Sequence, residues 1–148
     1  MAYYTRKATR LPKYDYATPN YYFITICTHE KKCIFGQPGK LNAYGKIAEE
    51  CVKKIEAVFP SVDVDNYVVM PNHIHMILAL KENGEETNIS TVIGQYKATV
   101  TKKIAESKNI WQRSFHDHII RNQTSYEKIW NYVEYNAAKW EQDCFYSK

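Results

Sequence analysis

Apolar positions along this chain follow two rhythms, one of period two and one of three to four. Tyr21-Tyr22-Phe23-Ile24-Thr25-Ile26-Cys27-Thr28 is dominated by aromatic and β-branched residues, the composition of a strand. Phe35-Gly36-Gln37-Pro38-Gly39 reads as a loop. Ile47, Cys51, Ile55 and Val58 recur at helical spacing, which predicts a helix over 43–58 stopped by Pro60-Ser61. Val62 to Met70 alternates and then becomes continuously apolar, as a strand buried on both faces does. Pro71-Asn72 supplies a tight turn, and His73 to Leu80 forms the second strand of an antiparallel hairpin. After a polar loop to Thr87, Ile89, Val92, Ile93, Tyr96, Val100 and Ile104 mark an amphipathic helix over 88–106. Trp111 to Ile120 has strand character in its second half. Thr124-Ser125-Tyr126-Glu127 fits a capping box that opens a final helix running to about Trp140.

The element order is β-α-β-β-α-β followed by one more helix. This is the α+β, ferredoxin-like arrangement: an antiparallel sheet with two helices on one face and the other face left for a ligand. At 148 residues the chain is expected to form a single domain, 1–148, that includes a basic, aromatic N-terminal arm over 1–19. A hydrophobic fraction of 45% and a charged fraction of 24% are those of an ordinary globular protein. No apolar run approaches the length of a membrane span, and the basic, tyrosine-rich start does not look like a signal peptide. Cys27, Cys33, Cys51 and Cys144 lack C-x-x-C spacing and lie in apolar or helical contexts, so they read as reduced packing thiols. The expected compartment is the cytoplasm, without membrane association.

A net charge of +4 is too mild to imply nucleic acid, but its distribution is uneven. Arg6, Lys7, Arg10 and Lys13 occur with no acid among them, interleaved with tyrosines. A second basic series includes Lys97, Arg113 and Arg121. Cations meet phosphates and exposed aromatics stack on unpaired bases, so both series are candidate DNA contacts. A solvated tail and ordinary helix faces would carry the same charges.

The candidate chemistry centres on His73 and His75. Side chains alternate along a strand, so both imidazoles project from one face while Ile74 and Met76 point into the core. Such a pair is either structural or half of a metal site. On the final helix, Tyr126, Ile129, Val133, Ala137 and Trp140 form a stripe to be buried, and Tyr132 and Asn136, four apart, share the adjacent face. A divalent ion held by two imidazoles and an amide oxygen, with positions left for water, suits Mg²⁺ or Mn²⁺ and polarises a phosphoryl oxygen. A phenol with pKa about 10 needs that help to act as a nucleophile. Tyr135 is the rival nucleophile, about 60° from Tyr132 around the helix axis. His118, in Phe115-His116-Asp117-His118, is a further candidate ligand.

Three segments resemble the single-tyrosine HUH transposases, with closest similarity to the REP-associated tyrosine transposase branch. They are Pro71-Asn72-His73-Ile74-His75, the run from Trp111 to Asn122, and Tyr132-Val133-Glu134-Tyr135-Asn136-Ala137-Ala138-Lys139-Trp140. The similarity runs from about Tyr21 to Trp140, with the motifs in the family's order. It implies a metal-dependent transposase that cleaves and rejoins single-stranded DNA beside a hairpin through a covalent 5′-phosphotyrosine. It also implies His73 and His75 as metal ligands, Tyr132 as nucleophile and Asn136 as the polar residue one turn on. The REP-associated branch commonly has Asn-Pro where this chain has Asn136-Ala137, and an alanine there is expected to keep the helix running through Asn136. The alternatives are a replication-initiator-type nickase with the same histidines, and a catalytically silent DNA-binding module domesticated from a transposase. The resemblance leaves monomer and homodimer both open.

Overall fold

A computed structural model describes residues 16, 18, 20–81, 87–104 and 110–142. The basic arm with Arg6, Lys7, Arg10 and Lys13, and Cys144, lie outside the described residues. The chain runs through β1 (Asn20–Cys27), a small hairpin of β2 (Gly36–Gln37) and β3 (Lys40–Leu41), α1 (Ala43–Lys53) and the single turn α2 (Ile55–Val58). There follow β4 (Val62–Met70), β5 (His73–Leu80), α3 (Ile89–Ile104), β6 (His116–Ile120) and α4 (Gln123–Glu134), then a 3₁₀ segment, Ala137–Gln142. The four long strands form one antiparallel sheet in the order β4-β5-β1-β6. With α1–α2 between β1 and β4, and α3 between β5 and β6, this is the ferredoxin-like order the pattern predicts.

The β4–β5 hairpin closes through Pro71-Asn72 alone, since Met70 pairs with His73. Its tip is tied down by the chain leaving β1. The Thr28 amide donates to the Asn72 carbonyl at 3.0 Å, and the Phe35 amide donates to that of Pro71 at 3.1 Å. The register of β5 against β1, with Thr25 opposite His75, is therefore held at the hairpin end as well as along the ladder.

One face of the sheet carries Tyr22, Ile24, Ile26, Val69, Ile74, Met76 and Leu78, buried beneath α1 and α3. That layer is the main core. The opposite face is not left open, as the pattern suggests, because α4 lies across it. Ile129 and Val133 bury against Phe23, Ile77 and Ile120. A single amphipathic helix needs one apolar surface to cover its stripe, and this is the one that α1 and α3 leave.

Four local expectations change. The helix over 43–58 breaks at Lys54, whose amide bonds the Cys51 carbonyl three residues back at 3.3 Å; Ile55 stays buried across the break. The final helix starts earlier, because Asn122 is its N-cap and its Oδ1 accepts from the Ser125 amide at 2.8 Å. Asn is among the best N-caps, so Thr124 falls inside the first turn and forms no capping box. That helix also ends at Glu134 rather than continuing through Asn136. The amides of Tyr135 and Asn136 bond the carbonyls of Asn131 (3.0 Å) and Val133 (3.3 Å), so the turn tightens before the chain leaves the helix. The substitution of Ala137 for proline is thus not what decides the helix's length. Among the thiols, Cys27 and Cys51 are buried, whereas Cys33 is exposed and so is not a packing residue. No described helix is long and apolar enough to cross a membrane.

Candidate active site

His73 and His75 project from the α4 side of β5, with Ile74 and Met76 in the main core beneath them. Both histidines are 0% exposed. Their Nε2 atoms face each other at 3.1 Å and their ring centroids lie 4.5 Å apart. Each outer nitrogen is held by a polar partner. His73 Nδ1 lies 2.8 Å from Asn72 Oδ1, and His75 Nδ1 lies 2.9 Å from Thr25 Oγ1. An amide oxygen only accepts, so His73 carries its proton on Nδ1 and turns an Nε2 lone pair inward. If the Thr25 hydroxyl accepts from His75 in the same way, two inward lone pairs meet. Two lone pairs at that distance repel unless a proton or a cation lies between them.

The donor set fits a divalent ion. Ligand atoms at right angles around an octahedral ion, each about 2.1 Å from it, lie about 3 Å apart, and the 3.1 Å separation, which is also that of an N–H···N hydrogen bond, is compatible with that spacing. Outer-nitrogen partners that fix the tautomer are the usual accompaniment of ligating imidazoles. Among the described residues no group of three or more His, Cys, Asp or Glu assembles, so a third protein ligand has to be of another type. An amide oxygen is such a ligand. His118 does not join the pair. It sits opposite Phe23 on β6, two strands from β5, and neighbouring strands are about 4.8 Å apart.

Tyr132 reaches the histidines from α4. Its ring lies 5.2 Å from that of His75, edge-on at 60°, and 6.1 Å from that of Phe23. Burial of Ile129 and Val133, on the same side of α4, sets that angle of approach. Tyr135 goes elsewhere: it forms the C-cap of the helix and is 57% exposed. Beyond it, Asn136 is buried, its carbonyl accepting from the Lys139 amide at 3.0 Å. The chain then turns back over the hairpin, with Ala137 lining a cleft beside Tyr67, Val68 and Val69 and the Trp140 ring 6.0 Å from His73. The structure therefore gathers His73, His75 and Tyr132, with the segment carrying Asn136 beside them.

The proposed DNA contacts divide. Arg113 and Arg121 are exposed. Lys97 is not a free cation, because its Nζ donates to the carbonyls of Gln112 and Ser114, each at 2.9 Å. It fastens the loop ahead of β6, where Ser114 has a positive φ of 66°. Its amphipathic-helix position gave no sign of that role. Thr25, Asn72 and Trp140 were not singled out from the sequence as parts of the site. The alternation along β1 could have found Thr25, since pairing that strand with β5 sets it against His75.

A tyrosine nearer the start of the helix shows what a committed hydroxyl looks like. Tyr126 donates to Asp65 Oδ2 at 2.8 Å, and burial together with that carboxylate pushes its pKa up to about 12. It is tied to β4 as an anchor for α4.

The family model described as "Transposase IS200 like" matches residues 17–136, a span that contains the histidine pair, Tyr132 and Asn136. The chain is 35% identical to an uncharacterized protein of Haemophilus influenzae, over 95% of this chain and 93% of that protein. It is 32% identical to the REP-associated tyrosine transposase of Escherichia coli K12 over 52% of this chain, which is 45% of that protein's length. A solved structure of a REP-associated tyrosine transposase bound to a REP hairpin superposes with a TM-score of 0.71 at 24% identity, covering 89% of this chain and 74% of that one. These likenesses place the fold in a group of DNA transposition proteins. The chain belongs to the IS200-like transposase family, with homology to its REP-associated tyrosine transposases.

Proposed function

We propose that this protein cleaves and rejoins single-stranded DNA beside a hairpin, using Tyr132 as the nucleophile and a divalent metal ion, Mg²⁺ or Mn²⁺, held by His73, His75 and Asn136. The observation that carries this reading is the approach of the Tyr132 ring to His75 beside two imidazoles whose Nε2 atoms lie 3.1 Å apart. The REP hairpin held by the structural relative supports a hairpin as the partner here. Single-stranded DNA flanking such a hairpin is then the substrate.

When bound, the ion would supply Lewis-acid polarisation of the scissile phosphate. The chain does the rest. Asn72 accepts from His73 Nδ1 and so turns that Nε2 lone pair inward, and Thr25 would do the same for His75 where its hydroxyl accepts. Phe23 and His75 pin the ring of Tyr132 so that the phenol meets the phosphate with little freedom left to lose. The Tyr132 oxygen attacks phosphorus, its proton leaves, and the bond from phosphorus to the 3′ oxygen breaks. That oxygen takes up a proton and departs as a 3′-hydroxyl, while the 5′ side stays joined to Tyr132. A 3′-hydroxyl attacking the phosphotyrosine reverses the step and rejoins DNA without an external energy source.

A second reading, a binding module that has lost cleavage, is favoured by one observation. Both histidines are fully buried beneath Tyr132 and Trp140, and cleavage requires that cover to move. Incubation of the purified protein with end-labelled hairpin DNA and Mn²⁺, followed by denaturing electrophoresis, separates the two. A protein–DNA species that resists denaturant and disappears with EDTA supports cleavage; binding in native gels with no such species supports the silent module.

A further inference from the structure

Along β1 the α4 face carries Tyr21, Phe23 and Thr25 in turn. Thr25 and Phe23 serve the site above. Tyr21 serves something else. It is 44% exposed, and its ring meets that of Tyr126 edge to face at 5.1 Å. The two rings, with Ile120, form one side of a cleft of about 440 Å³ at the end of β1, β6 and the start of α4. Arg121 stands at its margin.

Most of the polar groups around this cleft are already engaged. Tyr126 donates to Asp65, Asn122 Oδ1 accepts from Ser125, and Gln123 donates to Glu127 at 3.3 Å. What remains is the part-exposed ring of Tyr21 and the exposed Arg121 beside it. We propose that this cleft binds one unpaired nucleotide of the DNA strand, its base stacked on Tyr21 and its phosphate at Arg121. The proposal rests on the single-stranded DNA reading above and adds a place for a nucleotide away from the scissile bond.

The position suits that role. Two residues of strand span about 7 Å, so Tyr21 lies about 7 Å from Phe23, which itself touches Tyr132. A nucleotide in the cleft would therefore lie about 13 Å along β1 from the histidine pair, on the same face of the sheet and along the same helix as the one being cut. Aromatic stacking accepts any base, and only an unpaired base can turn its face onto the Tyr21 ring. The cleft would thus select single-stranded over duplex flank next to the hairpin.

The test uses the full chain in EDTA, so that cleavage does not intervene. The probe is a DNA hairpin with a short single-stranded flank carrying 2-aminopurine at each flank position in turn. Stacking on Tyr21 should quench fluorescence at one position and not at the others. Tyr21→Ala should abolish that quench and weaken binding roughly tenfold, with its melting transition showing that the exposed substitution leaves the fold intact. Arg121→Gln should lower the salt dependence of binding by about one counterion and keep the quench. Hairpin binding without a position-specific quench, or a quench that survives Tyr21→Ala, overturns the nucleotide cleft and leaves the proposed function standing. No binding of the hairpin at any position overturns both.

Discussion

The two faces of the sheet are built on different terms. Beneath α1 and α3 lies a thick apolar layer in which Leu78, Met76, Ile74 and Ile24 are fully buried. Beneath α4 the buried apolar cluster shrinks to Phe23, Ile77, Ile120, Ile129 and Val133, edged by partly buried residues such as Val68 and Trp130, and beside it lie two buried histidines, Thr25 and the Tyr132 ring. Burying imidazoles and a hydroxyl costs stability unless each polar atom has a partner, and here the pairs Asn72–His73 and Thr25–His75 supply partners. The comparison teaches a division of labour. One face holds the fold together, so that the other can keep a buried polar site fixed under a single helix.

Neighbouring residues on β5 break or sharpen that comparison most forcefully. Leu78 and Ile77 are both 0% exposed and point to opposite faces. Leu78→Ala should cost about 3 kcal/mol, read as a lowered denaturation midpoint, and leave adduct formation per folded molecule unchanged. Ile77→Ala should cost less, because the thinner layer under α4 relaxes more easily, yet it should slow adduct formation by loosening the seat of Tyr132. Equal effects on stability and activity at both positions would erase the distinction between the faces.

A smaller effect is expected at Thr25. Thr25→Val keeps the shape and removes the partner of His75 Nδ1. Mn²⁺ affinity, measured by titration calorimetry, should fall about 10- to 100-fold with little change in melting. Unchanged affinity would mean that the hydroxyl only fills space.

The smallest expected effect lies at the anchor of α4. Unfolded tyrosine ionises near pH 10, while Tyr126 in the fold does so at about 12. Between those values the unfolded chain loses a proton that the folded chain keeps, so stability falls as pH rises through that interval. Comparing wild type with Tyr126→Phe isolates this contribution: the variant should show a shallower decline above pH 10. Equal slopes would place the decline on other groups.

The strand register around the site was legible because its pattern is local and strongly periodic. A two-residue turn, alternation through His73 and His75, and β-branched composition all point the same way. The end of α4 was not. A stripe running from Tyr126 to Trp140 continues in sequence where the backbone tightens after Glu134, and helical periodicity does not register a turn of 3₁₀ geometry. The start of α4 is ambiguous in sequence for a related reason: Asn122 and Thr124 both suit an N-cap, and the structure gives the place to Asn122. Lys97 shows a further limit. A cation drawn inward by two carbonyls looks, in sequence, like any lysine on a helix face.

The central claim is that Tyr132, and not Tyr135, joins DNA under the histidine pair. The direct test is to form the covalent species with hairpin DNA and Mn²⁺, digest it with protease and nuclease, and locate the modified tyrosine by mass spectrometry. The account predicts a single nucleotide-bearing peptide modified at Tyr132, formed equally by Tyr135→Phe and absent from Tyr132→Phe. A modification mapped to Tyr135, or an adduct that persists in Tyr132→Phe, would contradict it.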